Sequence, residues 1–540
     1  MADYDTIIVG AGSAGCVLAN RLGEDRAKSI LVLEAGGHDR HWLLRIPIGV
    51  AKVWNEPRFN WSYQSEPEPH VDGRSIYHPR GKVIGGSSSI NMMAYVRGNR
   101  GDYDRWRQKG LTGWSYADVL PYFKRAETWE GGADAYRGGD GPLKVRKGRN
   151  QDPIFDACVA AAPELGLPVN DDYNSGDQDG FTRGQFTASG GRRFSTARAY
   201  LHPAVKRGNV SVEVNAQTTR ILMEGNRAVG IEYLQYGNLR QAYAKEVILS
   251  AGSINSPQIL MLSGLGPADH LRSVGIEPRI DLPQIGRNLQ DHPAIRLAYE
   301  RLSPSRLPGE LRLDRLTISM ARAILFGTGF AANPPGGMYA FVRSAPEIDI
   351  PDLQLFCSNA SLFAREWFPG WRPPASDVVT MRACHLRPES RGHVTLASSD
   401  PAAKVRIFNN FLSTDADRRA IRSAFNILRD IAHTKPFQAL IGAELTPGVA
   451  VQSDAEIDAY IRQTMDTVYH PVGTCRMGSD PEASVSLDFR VRGVEGLRVV
   501  DASVMPDLTG GNINAVVIMV AEKASDVIRG LAPLPAEEAA

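Results

Sequence analysis

The sequence predicts an α/β fold in two lobes: a Rossmann-like dinucleotide-binding lobe, and a second lobe built on an antiparallel sheet plus helices. Three observations carry this. A strand, glycine turn, helix and second strand open the chain. Runs of alternating apolar and polar residues crowd its second half. Its 540 residues exceed what one average domain needs.

The opening strand is Thr6-Ile7-Ile8-Val9. Gly10-Ala11-Gly12-Ser13-Ala14-Gly15 follows at once, and a helical apolar pattern runs through Ala14, Val17, Leu18 and Leu22. A second strand, Ile30-Leu31-Val32-Leu33, ends on Glu34. Gly10 permits the tight turn, Gly12 lets backbone approach a pyrophosphate at a helix N-terminus, and Gly15 lets the helix pack on the strand. Glu34 can accept hydrogen bonds from both ribose hydroxyls of an adenosine. A glycine turn alone says little; strand, helix and terminal acid together point to an adenine dinucleotide. They do not separate FAD from NAD, although Glu34-Ala35-Gly36-Gly37 near the start of the chain looks more like flavoproteins.

A second glycine-rich stretch, Gly81-Lys82-Val83-Ile84-Gly85-Gly86-Ser87-Ser88-Ser89-Ile90-Asn91, offers close backbone approach and many free N–H donors. A third, Gly252-Ser253-Ile254-Asn255-Ser256-Pro257, follows the strand Glu246–Ala251 and is another strand-to-helix turn. Near the end stand His470-Pro471-Val472-Gly473-Thr474 and Val499-Val500-Asp501-Ala502-Ser503, then Gly510-Gly511-Asn512-Ile513-Asn514.

In this order and over almost the whole chain, these stretches resemble the signatures of the glucose–methanol–choline (GMC) oxidoreductase family, with a glucose-oxidase-like fold. Within it they look most like bacterial choline-dehydrogenase-like alcohol dehydrogenases. The resemblance implies FAD and hydride transfer from an alcohol carbon to flavin N5, giving an aldehyde or ketone. It implies His470 as the general base and Asn514 as the amide that positions the substrate oxygen. A histidine near its ordinary pKa suits proton removal at neutral pH. The implied cofactor contacts are Gly10, Gly12, Ser13, Ala14, Gly15, Glu34 and Ala35 in the first turn. Arg80, Gly81, Val83, Gly86, Ser87, Asn91, Met93 and Ala94 follow around the second. Val214, Ala251 and Gly252 come from mid-chain, and Asp501, Ala502, Asn512 and Asn514 from the end.

Two departures from the family pattern stand out. Many relatives read Asn-Ala-Pro-Thr where this chain has Asn514-Ala515-Val516-Val517; a first-turn proline is tolerated but not required, so the helix is expected to form. Some relatives attach the flavin through a histidine just before the motif asparagine. Here that position is Ile90, which has no nucleophile, so non-covalent FAD is expected.

Scattered motifs make the cofactor lobe discontinuous: residues 1–150, 196–299 and 461–540, with 151–195 and 300–460 forming the substrate lobe. Strands are expected at Asp352–Phe356, Val378–Ala383, His393–Leu396 and Lys404–Phe408, and helices at Asp415–Ala432 and Asp454–Thr467. Residues 327–337, rich in glycine and proline, read equally well as a lid or as an ordinary connection. Phe356, Asn359, Phe363 and Trp367 are candidates for the pocket wall, though aromatic residues at such spacing are more often core.

Composition bounds the function. With 61 basic and 60 acidic residues, the formal charge of +1 argues against a broad nucleic-acid surface. Five widely spaced cysteines with no Cys-x-x-Cys pair indicate neither a metal site nor a dithiol. No secretory signal or membrane-spanning run is seen, so a cytoplasmic protein is expected, its oligomeric state open. The electron acceptor is expected to be a quinone or carrier. The alternatives are an oxidase releasing hydrogen peroxide, a hydroxynitrile-lyase-type enzyme with structural FAD, and a flavin-binding protein without catalysis. Paired His470 and Asn514 argue against the last.

Overall fold

The computed structural model describes residues 2–359 and 364–538. Its first sheet has seven strands in the order Val210–Val214, Ile30–Glu34, Tyr4–Val9, Asn238–Leu249, Arg227–Gln235 and Ala216–Glu224, with Leu497–Val499 also on Asn238–Leu249. The strands from Val210 to Asn238 run parallel, as does Leu497–Val499; the rest are antiparallel. Ile30–Glu34 is buried at every residue, as a strand covered on both faces must be. Helices Ser13–Leu22 and Asn514–Arg529 pack on each other against this sheet. The parallel strands end on Val9, Glu34, Val214, Leu249 and Val499, so the binding crevice lies beyond that edge.

The second seven-stranded sheet is antiparallel: Ile441–Thr446, Pro293–Arg301, Val378–His385, Leu353–Ser358, Met338–Val342 and Gly180–Arg183, with Asp466–Thr467 also on Pro293–Arg301. The period of two divides its faces. Leu297, Met381, Leu355 and Ala340 join the core under helix Asp415–Ala432, which adds Ile421, Phe425 and Leu428. The alternate residues, among them Arg296, Arg382, Phe356 and Tyr339, face the crevice of the first lobe.

Some expectations change. Strand Pro293–Arg301 belongs to the second sheet, so the lobe boundary falls near residue 292 rather than 299. His393–Thr395 and Arg406–Phe408 pair only with each other, apart from that sheet. Helix Asp415–Ala432 has the expected bounds, opened by Thr414, whose hydroxyl accepts from Asp417 N. Helix Asp454–Thr464 stops three residues early because Asp466–Thr467 pairs with Pro293–Ala294 instead. In the 327–337 stretch, Phe330–Ala332 forms a short turn docked on helix Leu313–Phe326, and Phe330, Asn333, Pro334, Pro335 and Gly336 border the crevice. Among the described residues no helix is long and apolar enough to cross a membrane, and no cluster could hold a metal ion. All five cysteines are buried thiols.

Candidate active site

The crevice is a cavity of about 1190 Å³ between the lobes. That exceeds the roughly 300–1,000 Å³ of common small-molecule pockets. One end is the glycine-lined cradle. A Cβ at Gly10 would stand 2.5 Å from Ser250 O, and one at Gly86 2.7 Å from Gly12 Cα, so bare backbone from three motifs meets there. Glu34, at the end of its strand, also lines the cavity. Its carboxylate accepts from Ala11 N at 3.0 Å and Gly36 N at 2.8 Å, while burial pushes its pKa up to about 7. Asp501 ties two later motifs together, accepting from Gly252 N at 2.8 Å, Ser256 Oγ at 2.6 Å and Ser503 N at 2.7 Å. Ser13 Oγ donates to Asn514 Oδ1 at 2.7 Å, joining the starts of two helices 501 positions apart. Their partial positive ends face the cavity, where an anionic cofactor is stabilised.

This cradle fits FAD. Gly10, Gly12, Ser13, Ala14, Glu34, Ala35, Arg80, Gly81, Gly86, Ser87, Asn91, Met93 and Ala94 border it, with Ala251, Gly252, Asp501, Ala502, Asn512 and Asn514. Three expected contacts lie off the wall. Gly15 is spent on packing: a Cβ there would sit 1.9 Å from Gly10 O. Val83 turns into an apolar cluster with Leu43, Leu44, Val53, Phe59 and Ile90. Val214 lies beside Glu34 in the sheet, and its carbonyl accepts from Gln235 Nε2 at 3.0 Å. Phe356 and Asn359 border the cavity. Trp367 does not, and its Nε1 donates to Pro308 O at 2.6 Å. Phe363 lies outside the described residues.

Beside the cradle His470 is held by a directional chain of hydrogen bonds. The Leu386 carbonyl only accepts, so the His292 Nε2 that meets it at 3.1 Å carries the proton. The neutral His292 ring then accepts at Nδ1, and the His470 Nδ1 facing it at 3.0 Å is the donor. His470 Nε2 is therefore the unprotonated, accepting nitrogen of the ring. Asn512 Nδ2 donates to it at 3.1 Å, and Gln354 Nε2 fixes the amide by donating to Asn512 Oδ1 at 3.2 Å. Asp291 orients the backbone of both rings, accepting from His470 N at 2.7 Å and His292 N at 2.8 Å. Burial, then the neighbours His292, Arg80 and Arg382, hold His470 well below the usual histidine pKa. Burial likewise lowers His292 to about 3.

The expected partner of His470 changes accordingly. Asn514 opens the helix with its carbonyl oxygen on Ser13, whereas Asn512, two residues earlier, is the amide at hydrogen-bonding distance from the imidazole. Both residues stand in one glycine-led run, and spacing along it does not tell which side chain turns to which neighbour. Asp291, His292 and Gln354 escaped the sequence reading. The run Gln290-Asp291-His292, three polar residues before an apolar strand, was the signal available.

Fold and site together define an FAD-dependent oxidoreductase, an enzyme acting on CH–OH donors. Family models described as GMC oxidoreductase match residues 4–294 and 388–521. The oxygen-dependent choline dehydrogenase of Sinorhizobium fredii is 44% identical, covering 99% of this chain and 96% of its own. Mitochondrial choline dehydrogenase of Homo sapiens is 43% identical, covering 98% and 90%. Among solved structures, pyridoxine 4-oxidase from Mesorbium loti superposes with a TM-score of 0.89 at 31% identity, covering 98% of this chain and 100% of that one. The chain belongs to the GMC oxidoreductase family.

Proposed function

We propose that this chain oxidises a primary or secondary alcohol with His470 as general base and Asn512 positioning the substrate oxygen. The observation that carries this is the unprotonated His470 Nε2, which accepts from the Asn512 amide within the chain from Gln354 to Leu386 and borders the cavity next to the cradle. FAD, when bound, supplies the hydride acceptor. His470 Nε2 takes the hydroxyl proton, since hydride departs more readily from a developing alkoxide than from an alcohol. The Asn512 amide holds that oxygen in place, and burial keeps competing water out. A quinone or other carrier accepts the electrons. The words "oxygen-dependent" in the relative from Sinorhizobium fredii support a second reading, with oxygen as acceptor.

Anaerobic mixing with a panel of alcohols is expected to bleach the flavin absorbance, and a quinone analogue to restore it. A panel in which nothing bleaches would favour the lyase reading and dismiss this one. Ile90, buried in the apolar cluster beside Val83, offers no attachment point. Boiling or acid precipitation is therefore expected to release the yellow cofactor into the supernatant; colour that stays with the pellet contradicts non-covalent binding.

A further inference from the structure

We propose that Arg296 and Arg382 form an anion subsite in the substrate cavity, and that the alcohol this enzyme takes carries an acidic group. This rests on the alcohol-oxidising function proposed above and names its substrate class.

The two arginines are directly opposite each other on adjacent antiparallel strands, Pro293–Arg301 and Val378–His385. Opposed residues share a sheet face, and here it is the cavity face: both border the cavity, together with Phe356 and His470. Like charges directly opposite on neighbouring strands destabilise a sheet, so such a pair calls for a counter-ion.

The protein supplies little of one. Arg301, on the same strand, shows what a paired arginine looks like: Asp152 accepts from it at 2.6 Å and takes Asn359 Nδ2 on its other oxygen at 2.8 Å. Arg296 has no side-chain hydrogen bond or ion pair among the described residues. Arg382 gives Nη2 to the Thr467 carbonyl at 2.7 Å, and its single carboxylate neighbour, Asp466, stands at 3.7 Å. That carboxylate also takes the Tyr469 hydroxyl at 3.3 Å. Glu310, in the short helix Leu307–Glu310, also lines the cavity.

Two guanidinium groups with one carboxylate neighbour between them, Asp466 at 3.7 Å from Arg382, leave this stretch of wall positive. A carboxylate or phosphate oxygen set between them gains charge-assisted hydrogen bonds from planar donors. A quaternary ammonium, such as that of choline, meets repulsion at the same place. The subsite is close to the chemistry, because Arg382 is among the charges that depress His470, and its Thr467 contact lies three residues before that histidine. The rings of Tyr339 and Phe356, edge to face at 5.3 Å, offer an apolar seat for the middle of such a substrate.

The test uses the FAD-loaded enzyme and three alcohols of different charge: para-(hydroxymethyl)benzoate, benzyl alcohol and choline. Anaerobic flavin reduction is expected to favour the anion over the neutral alcohol by about tenfold or more, the factor one charge-assisted hydrogen bond contributes. Choline should be the poorest of the three. R296Q and R382Q should each shrink the ratio of anion to neutral, and R382E should turn it towards choline. A wild type that prefers choline, or is indifferent to charge, overturns the proposal, as do variants that keep the wild-type ratio.

Benzoate and inorganic phosphate, neither of which can be oxidised, give a readout independent of turnover through perturbation of the oxidised flavin spectrum. Their relative affinities tell a carboxylate site from a phosphate site. If no alcohol bleaches the flavin, the proposed function fails. The subsite then stands if either probe perturbs the spectrum of the wild type and not of the arginine variants, and falls if neither does.

Discussion

Replacing His470 with alanine is expected to slow anaerobic flavin reduction by about 10²–10⁴-fold, the usual contribution of a general base, while FAD stays bound. Cofactor retention follows from where the grip lies: Glu34, Asp501, Ser13 and the glycine turns make the cradle without the imidazole. The pH profile carries a second signature. A base works only when unprotonated, and burial depresses the His470 pKa well below 6.5. Reduction should therefore hold its rate as pH falls through the ordinary histidine range and decline only in stronger acid. An inflection at 6.5, or a variant that reduces at the parental rate, would remove His470 from the mechanism. The same assay separates the two asparagines. Asn512→Ala should lose about 10²-fold in reduction, as when a preorganised amide donor is deleted. Asn514→Ala, which frees Ser13, should show its effect chiefly in FAD retention.

Glu127→Ala is expected to destabilise the folded protein by about 3–5 kcal/mol, the cost of removing one partner from a buried ion pair. Glu127, Arg97 and Arg137 are all fully buried. Arg137 Nε donates to Glu127 Oε1 at 2.8 Å, and Gly138 N donates to the same oxygen at 3.0 Å. Burial alone would raise the Glu127 pKa; Arg97 and Arg137 outweigh it and hold the carboxyl below its ordinary value. Without it Arg97 keeps no carboxylate, while Arg137 keeps Asp172 at 2.6 Å. The depressed pKa also fixes the direction of the pH effect. The stability from this carboxylate is present above the unfolded glutamate pKa and is lost as pH falls through the lower folded value. Denaturant midpoints of wild type and variant at neutral pH measure the effect. A change within about 0.5 kcal/mol, the range of an ordinary surface substitution, would mean the network contributes nothing.

The parts of the site legible in the sequence are those where backbone geometry dictates residue type. Gly10, Gly15 and Gly86 had to be glycine because chain meets chain there, and Glu34 ends its strand beside them. Helix Asp415–Ala432 was legible from its own period and cap. What depended on register or rotamer was not. The pairing of Arg296 with Arg382 joins residues from distant strands whose alignment no local pattern specifies. Whether Asn512 or Asn514 turns to His470 is decided by Gln354 and Ser13, one from each lobe. That strand Pro293–Arg301 belongs to the second sheet was not legible either, because its partners Val378–His385 and Ile441–Thr446 lie far along the chain.

The bond between Ser13 and Asn514 has a consequence for biosynthesis. Residue 514 leaves the ribosome long after residue 13, so the grip on the flavin cannot be completed co-translationally by the early part of the polypeptide. Loading must wait for the late helix to dock, and the prosthetic group then acts as a clasp across the chain's two distant ends, adding to stability by mass action in proportion to free FAD.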